Sequence, residues 1–246
     1  MIIALLADIH SNLEALKSCL THATEQGAER FAFLGDLVGY GADPAAVVDM
    51  IAERASRGAV VVKGNHDDAI TNSARNMNDV AYESIEWTRN ALSESHKQFL
   101  AALPLIVKTD SVCFVHGSAD VPERWTYVDS PMVARHSMEA ARATYVFSGH
   151  VHDQVLYFKT MAGKTGAFHP TSGRAVPIHP RHNWLAIAGS AGQPRDGNPA
   201  AAYACFDDAK QEITFFRVPY DHLTAANKIR RSGQSEWLAH RIENGV

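Results

Sequence analysis

Residues 30–41, Arg-Phe-Ala-Phe-Leu-Gly-Asp-Leu-Val-Gly-Tyr-Gly, decide the fold. The apolar run Phe31–Leu34 reads as a buried strand that gives out at Gly35-Asp36, leaving a carboxylate at its end. The same unit recurs on either side. Residues 2–7 are an apolar run ending in Asp8-Ile9-His10, and Ala59–Val62 ends in Gly64-Asn65-His66-Asp67. Ser11, three residues before Glu14, predicts a capping box. The helix it opens carries Leu13, Leu16, Leu20 and Ala23 and closes at Gly27. Asp43-Pro44 predicts the N-cap and first turn of a second helix, through Val47, Val48 and Ile51 to Gly58. Strand–helix–strand–helix–strand implies a parallel sheet with covering helices. The steps from Asp8 to Asp36 and from Asp36 to Asn65 are 28 and 29 residues, each the length of one such repeat.

Further along, 78–103 reads as helical with a break near Ser93, which can cap a second segment. Leu105–Thr109 and Val112–Val115 predict a hairpin about Asp110-Ser111, and the second run ends in His116-Gly117. Pro131–Arg142 is a predicted helix. Tyr145–Phe147 is a buried strand running into Gly149-His150-Val151-His152. Strands then dominate: Val155–Phe158, Trp184–Ala188, Tyr203–Phe206 and Ile213–Val218. Residues 160–182 read as an exposed hairpin or lobe. The 221–246 tail reads as helical, with Lys228, Arg230 and Arg231 on a solvated face. No repeat or linker divides the chain, so a single domain over 1–246 is expected.

The 246 residues carry 23 Lys and Arg against 27 Asp and Glu, a net charge of −4, which argues against a non-specific nucleic-acid binder. No apolar run approaches a membrane span, and the first residues lack the basic lead of a signal peptide. Cys19, Cys113 and Cys205 are odd in number, widely spaced and set in apolar runs. They read as buried small hydrophobes in a reducing cytoplasm, not as a site. The 13 histidines are the unusual count.

Five segments end apolar runs in polar residues, and in open α/β sheets the loops beyond the strands' carboxyl ends are where ligands bind. Taken singly, an Asp after a strand usually caps the next helix and a lone His is usually structural. Together the segments offer two carboxylates, an Asn carbonyl and four imidazoles, without thiolate. That set suits Mn²⁺, Fe, Zn²⁺ or Ni²⁺. Seven ligands exceed one four-coordinate ion and suit two ions sharing a carboxylate and a bridging hydroxide. Glycines beside Asp36, Asn65, His116 and His150 are expected to let the backbone turn sharply.

The blocks Asp-x-His, Gly-Asp, Gly-Asn-His-Asp, a downstream His and Gly-His-x-His make the chain similar to the calcineurin-like metallophosphoesterase superfamily. Residues 35–41 and 189–199 (Gly-Ser-Ala-Gly-Gln-Pro-Arg-Asp-Gly-Asn-Pro) resemble its small bacterial members of the YfcE-like and diadenosine tetraphosphatase-like kind. Ala7 and Ser11 depart from that pattern, where Ser and Gly are frequent. The resemblance implies a four-layer α/β/β/α sandwich. It assigns Asp8, His10 and His152 to one metal and Asn65, His116 and His150 to the other, with Asp36 bridging. His66 is left unligated as the general acid, with Asp36 near enough to orient it. Homo-oligomers are common among small relatives.

The reaction so implied is hydrolysis of a small-molecule or nucleotide phosphoester by a metal-bridging hydroxide, with His66 protonating the leaving group. Arg195 is a candidate phosphate partner and Tyr40 a candidate pocket residue. Arg124 and Trp125 could stack on a base. His96, His136, His179, His222 and His240 have no motif support and read as surface residues. Dinucleoside polyphosphate hydrolase and phosphoprotein phosphatase are the alternatives within the class. A non-catalytic metal-binding scaffold is the alternative outside it, disfavoured because every ligand and acid position is intact.

Overall fold

The first three apolar runs become parallel strands joined by helices, as their spacing predicts: β1 (Ile2–Leu6), α1 (Leu13–Glu25), β2 (Arg30–Phe33), α2 (Pro44–Ser56) and β3 (Val60–Val61). Ile3 lies opposite Arg30 and Ala32 opposite Val60. The protein is described by a computed structural model over residues 1–74 and 77–246. Three helices follow, α3 (Asn65–Thr71), α4 (Asp79–Ala91) and α5 (Glu94–Ala102). Asn78 caps α4 and Ser93 caps α5, so the helical stretch breaks where expected. The next elements are β4 (Ile106–Lys108), β5 (Val112–Val115), α6 (Pro131–Ala141), β6 (Tyr145–Ser148), β7 (Gln154–Lys159), β8 (Thr165–Phe168) and β9 (Ala175–Pro177). Then come β10 (Asn183–Ala188), β11 (Ala201–Asp207), β12 (Glu212–Val218), α7 (His222–Arg231) and α8 (Glu236–Asn244).

The described strands form two six-stranded mixed sheets, β3-β2-β1-β11-β12-β9 and β4-β5-β6-β10-β7-β8. Alternation along each strand builds the layers. Leu5 of β1, Phe114 of β5, Phe147 of β6 and Phe206 of β11 meet between the sheets. Ala4 and Leu6 instead face α1 and α2, and Cys113, Val146 and Ile187 face α6. Helices therefore flank a pair of facing sheets, the α/β/β/α order. Phe147, Phe206 and Phe215 are no more than 2% exposed, and full burial of such a side chain contributes about 1.5–3 kcal/mol.

Three local expectations are corrected. Ser11 does not cap α1: its φ of 54° is not cap geometry, and Asn12 takes the role by accepting from the Ala15 amide at 3.1 Å. Residues 160–182 are not a separate hairpin. Their first strand, β8, edges one sheet against β7, and their second, β9, edges the other against β12, so the segment crosses between the sheets. The tail is helical, but Lys228 and Arg230 are not on a solvated face. Lys228 pairs with Glu14 and with Asp43 (2.9 Å), and Arg230 pairs with Glu236 and Glu243. The tail thus packs over the openings of α1 and α2, and Asp43 serves Lys228 instead of capping α2.

Candidate metal centre

The carboxyl ends of β1, β2, β3, β5 and β6 gather at one rim, where the loops within each sheet are stitched to one another. The Asp8 amide donates to the Gly35 carbonyl, the His10 amide to the Asp36 carbonyl, and the Gly149 amide to the His116 carbonyl. Asp8, His10, Asp36, His150 and His152 all hold φ between 47° and 72°. That left-handed backbone costs a non-glycine residue on the order of 1 kcal/mol, and it persists where surrounding bonds fix it. Among the four glycines expected to allow turns, only Gly35 has a positive φ. Gly64 is needed for close approach: a Cβ there would sit 2.2 Å from the Asp36 amide nitrogen and Oδ1.

Each carboxylate divides its oxygens. Asp8 Oδ2 accepts from the His150 amide at 2.9 Å, and Oδ1 is buried without a hydrogen-bond partner, 3.4 Å from His152 Nε2. Asp36 Oδ1 accepts from the His66 amide at 2.9 Å, and Oδ2 lies 3.4 Å from His116 Nε2 and 3.8 Å from His10 Nε2. The imidazoles are oriented from behind. His10, His116 and His152 each turn Nδ1 to a backbone carbonyl, of Val38 (3.2 Å), Leu34 (2.8 Å) and Gln193 (2.6 Å). A carbonyl only accepts, so those Nδ1 atoms carry hydrogens, and in the neutral rings the Nε2 lone pairs face inward.

Two clusters of acceptors result. His10 Nε2 and His152 Nε2 face each other at 3.2 Å beside Asp8. His116 Nε2 lies 3.1 Å from His150 Nδ1 and 3.2 Å from Asn65 Oδ1. Ligand atoms of Asp8, His10 and His152 lie within 4.8 Å of one another, as do those of Asp36, His116 and His150. Lone pairs this close repel unless a cation lies among them, and the buried, unpartnered Asp8 Oδ1 makes the same demand. The residues fit divalent metal. The first set is the one the resemblance names for one metal; the second holds Asp36 where the resemblance names Asn65, whose Oδ1 lies beside His116. A third grouping, His10, Asp36 and His66, also falls within 4.8 Å, so His66 stands at the edge of the same cluster.

The electrostatics of the bare residues follow from burial. Burial pushes the Asp8 carboxyl up to about 7, against the pull of His116. Burial works the same way on Asp36, but His116 and His66 outweigh it and hold that carboxylate well below the usual range. Burial disfavours a charged His116, yet the Asp36 carboxylate pushes it up to about 9. Burial holds His10 and His152 well below the usual imidazole range and brings His150 down to about 3, so these present neutral, metal-ready rings.

His66 is buried, and its proton affinity is lowered by that burial. Its ring centroid lies 4.8 Å from that of His10 and 4.5 Å from that of Tyr40. Asp36 does not grip the His66 ring; it holds the backbone amide at the start of α3, a helix not foreseen from the sequence. Tyr40, also at positive φ, lies 4.7 Å from His10, ring to ring, and so borders the centre. Arg195 bonds the Gln193 side chain at 2.9 Å, and its charge is felt by Asp8, His10, His66 and His152. Arg124 and Trp125 line a 790 Å³ cavity with Asn65, Tyr127 and His150, on the flank of the centre. Of the histidines without motif support, His136, His179 and His240 are exposed, while His96 and His222 are half-buried and His96 bonds Asp49.

Four residues escaped sequence reasoning. Tyr127 stacks on His150, centroids 3.8 Å apart and planes 16° from parallel. Asp67 accepts from the amides of Leu37, Val38 and Gly64, tying the Asp36 and His66 loops together. Gln193 orients His152 through its carbonyl, and Arg241 of α8 reaches the Gln193 side chain at 3.3 Å. Asp67 closes the Gly-Asn-His-Asp block and was the legible one.

The chain matches a family model described as the calcineurin-like phosphoesterase superfamily domain over residues 1–211. It is 32% identical over 246 aligned positions to the uncharacterized protein MJ0912 of Methanocaldococcus jannaschii, covering 98% of this chain and 96% of that protein. It superposes on the crystal structure of a metallophosphoesterase from Sphaerobacter thermophilus with a TM-score of 0.88 and 31% identity, covering 100% of this chain and 99% of that one. The hypothetical protein PH1004 from Pyrococcus horikoshii shares the fold, with a TM-score of 0.80 and 20% identity over 100% of this chain and 98% of that one. The chain belongs to the calcineurin-like phosphoesterase superfamily and is, with it, a phosphoesterase hydrolase.

Proposed function

We propose that this protein hydrolyses small-molecule or nucleotide phosphoesters at a two-metal centre built from Asp8, His10, Asp36, Asn65, His116, His150 and His152. The observation that carries the reading is the pair of inward-facing acceptor clusters with Asp36 Oδ2 between them. Mixed oxygen and nitrogen donors without thiolate favour Mn, Fe, Zn or Ni. Two such cations, when bound, supply Lewis acidity toward a phosphoryl oxygen and activate a water for attack.

The chain's own residues do the rest. Val38, Leu34 and Gln193 fix the tautomers of His10, His116 and His152, so that lone pairs and not protons face the metals. His66, unligated and held by its backbone beside Asp36, donates a proton to the leaving oxygen. Its lowered proton affinity makes the imidazolium a ready donor once a phosphoester's negative charge lies beside it. The cavity of 790 Å³ beside Asn65 and His150, with Trp125 and Tyr127 in its wall, has the volume and aromatic surface for a nucleoside-sized group. That cavity favours a nucleotide phosphoester over a phosphoprotein. The net charge of −4 offers no general attraction to nucleic acid. Three buried, unpaired cysteines agree with a cytoplasmic location.

The test pairs metal content with hydrolysis of p-nitrophenyl phosphate, bis-p-nitrophenyl phosphate and diadenosine tetraphosphate after Mn²⁺ reconstitution. Two metals per chain are expected, with turnover that disappears in Asp36→Ala. Fewer than one metal per chain would end the two-metal reading. Two metals without turnover on any of the three would point to a narrower substrate outside this set.

A further inference from the structure

Gln193 is fully buried and serves two neighbourhoods. Its carbonyl orients His152, while its side-chain Oε1 accepts from Arg195 Nη2 (2.9 Å), Arg195 Nε (3.3 Å) and Arg241 Nη1 (3.3 Å). Two guanidiniums are thus gathered on one neutral oxygen, within a single residue of a candidate metal ligand. Like charges so close repel, and the pair lacks the carboxylates that compensate two other half-buried arginines of this chain: Arg217 grips Asp196 at 2.6 and 3.0 Å, and Arg230 grips Glu236 and Glu243. Among the described residues, no carboxylate lies within ion-pair distance of Arg195 or Arg241. Donors are also left over, since Arg241 Nε and Gln193 Nε2 are buried without partners.

The pair is held by construction. The Gly197 amide donates to the Gly245 carbonyl at 2.8 Å, and a Cβ on Gly245 would come within 2.6 Å of Asn198. The end of α8 is therefore seated on the loop that carries Arg195. The charge of Arg195 reaches Asp8, His10 and His66 in the centre, and both arginines act on the phenol of Tyr40.

We propose that Arg195 and Arg241 form an anion subsite for a second phosphate, so that the preferred substrates carry a phosphate adjacent to the one being hydrolysed. Two forked guanidinium donor sets match the several oxygens of such a group better than a lone carboxylate or a neutral leaving group. The inference rests on the phosphoesterase reading for the position of the first phosphate.

The experiment titrates orthophosphate and pyrophosphate calorimetrically into the Mn²⁺-loaded protein, with free metal held equal in cell and syringe. Wild type is expected to bind pyrophosphate at least about 10-fold more tightly, the yield of one charge-assisted contact. Arg241→Gln should erase most of that preference and leave orthophosphate binding within about 3-fold, and Arg195→Gln should weaken pyrophosphate binding several-fold more than orthophosphate binding. Arg231→Gln, an exposed arginine on the same tail, should change neither. Arg241→Lys guards against a folding defect: it keeps the charge and should retain part of the preference, with an unchanged circular dichroism spectrum. An equal loss for both anions, or an unchanged preference in the glutamine variants, overturns the proposal. Wild-type hydrolysis of p-nitrophenyl phosphate is scored separately. If that and the diester and dinucleotide hydrolyses are all absent while the preference stands, the proposed substrate class fails and the anion subsite does not.

Discussion

At the scale of single residues, the sharpest distinction is between His66 and three of the four imidazoles that form the acceptor clusters. His10, His116 and His152 are each braced by a backbone carbonyl, whereas His66 Nδ1 is buried with no partner. A bracing bond fixes a ligand's ring; His150, whose Nε2 is likewise buried without a partner, is held by the stacked Tyr127 instead, and a free Nδ1 suits a group that must gain and lose a proton. His66→Ala is therefore expected to lower turnover roughly 10²–10⁴-fold while metal content, read by plasma emission, stays near wild type. An equal loss of metal would make His66 a ligand. At this scale the sequence is most eloquent where a motif names the chemistry: Asp8, His10, Asp36, Asn65, His116, His150 and His152 all fall at strand ends and all converge. It is silent on Gln193, Tyr127 and Arg241, because each acts through a loop or helix whose neighbour is set only by tertiary packing.

Elements were legible in proportion to how local their signals are. The breaks at Asn78 and Ser93, the turn between β4 and β5, and Pro131 opening α6 are all written in adjacent residues. The segment 160–182 was not legible. Its two short strands have no partner within the segment, and their partners, β7 and β12, belong to different sheets. The α1 cap was misplaced by one residue for a related reason: Ser11 is spent on holding the loop, its amide bonded to the Leu37 carbonyl at 3.0 Å. Likewise Lys228 and Arg230 have helical spacing that suits a wet face, but their partners lie on other elements or later turns. α8 yields a test at this scale. Gly245 ends it at φ 67° against Asn198, so Gly245→Val should loosen the helix. Amides of Glu236–Asn244 are expected to exchange with deuterium about 10-fold faster, with those of β1 and β11 unchanged.

For the whole molecule, the acceptor clusters are a cost that bound cations offset. Metal removal by a chelator should lower the melting temperature by roughly 10 °C, since saturating a site at about 1,000 times its Kd contributes about 4 kcal/mol and 1 kcal/mol moves a chain of this size about 2–4 °C. A melting temperature unmoved by chelator, read by calorimetry, would mean that the centre is not loaded in the starting protein. The broad architecture was readable because two halves of the chain carry different periodicities; how the halves interleave was not, since β1 lies between β2 and β11, with Ile2 opposite Asp207. That interleaving has a consequence for biogenesis. The loop bearing Asp8 is clamped by the Ala191 and Gly192 amides, and its strand, paired with β2 on one side, lacks its second neighbour until β11 has left the ribosome. A nascent chain therefore holds every residue of the acceptor clusters before it can hold the clusters themselves, which close only when the end of the chain folds back on its beginning.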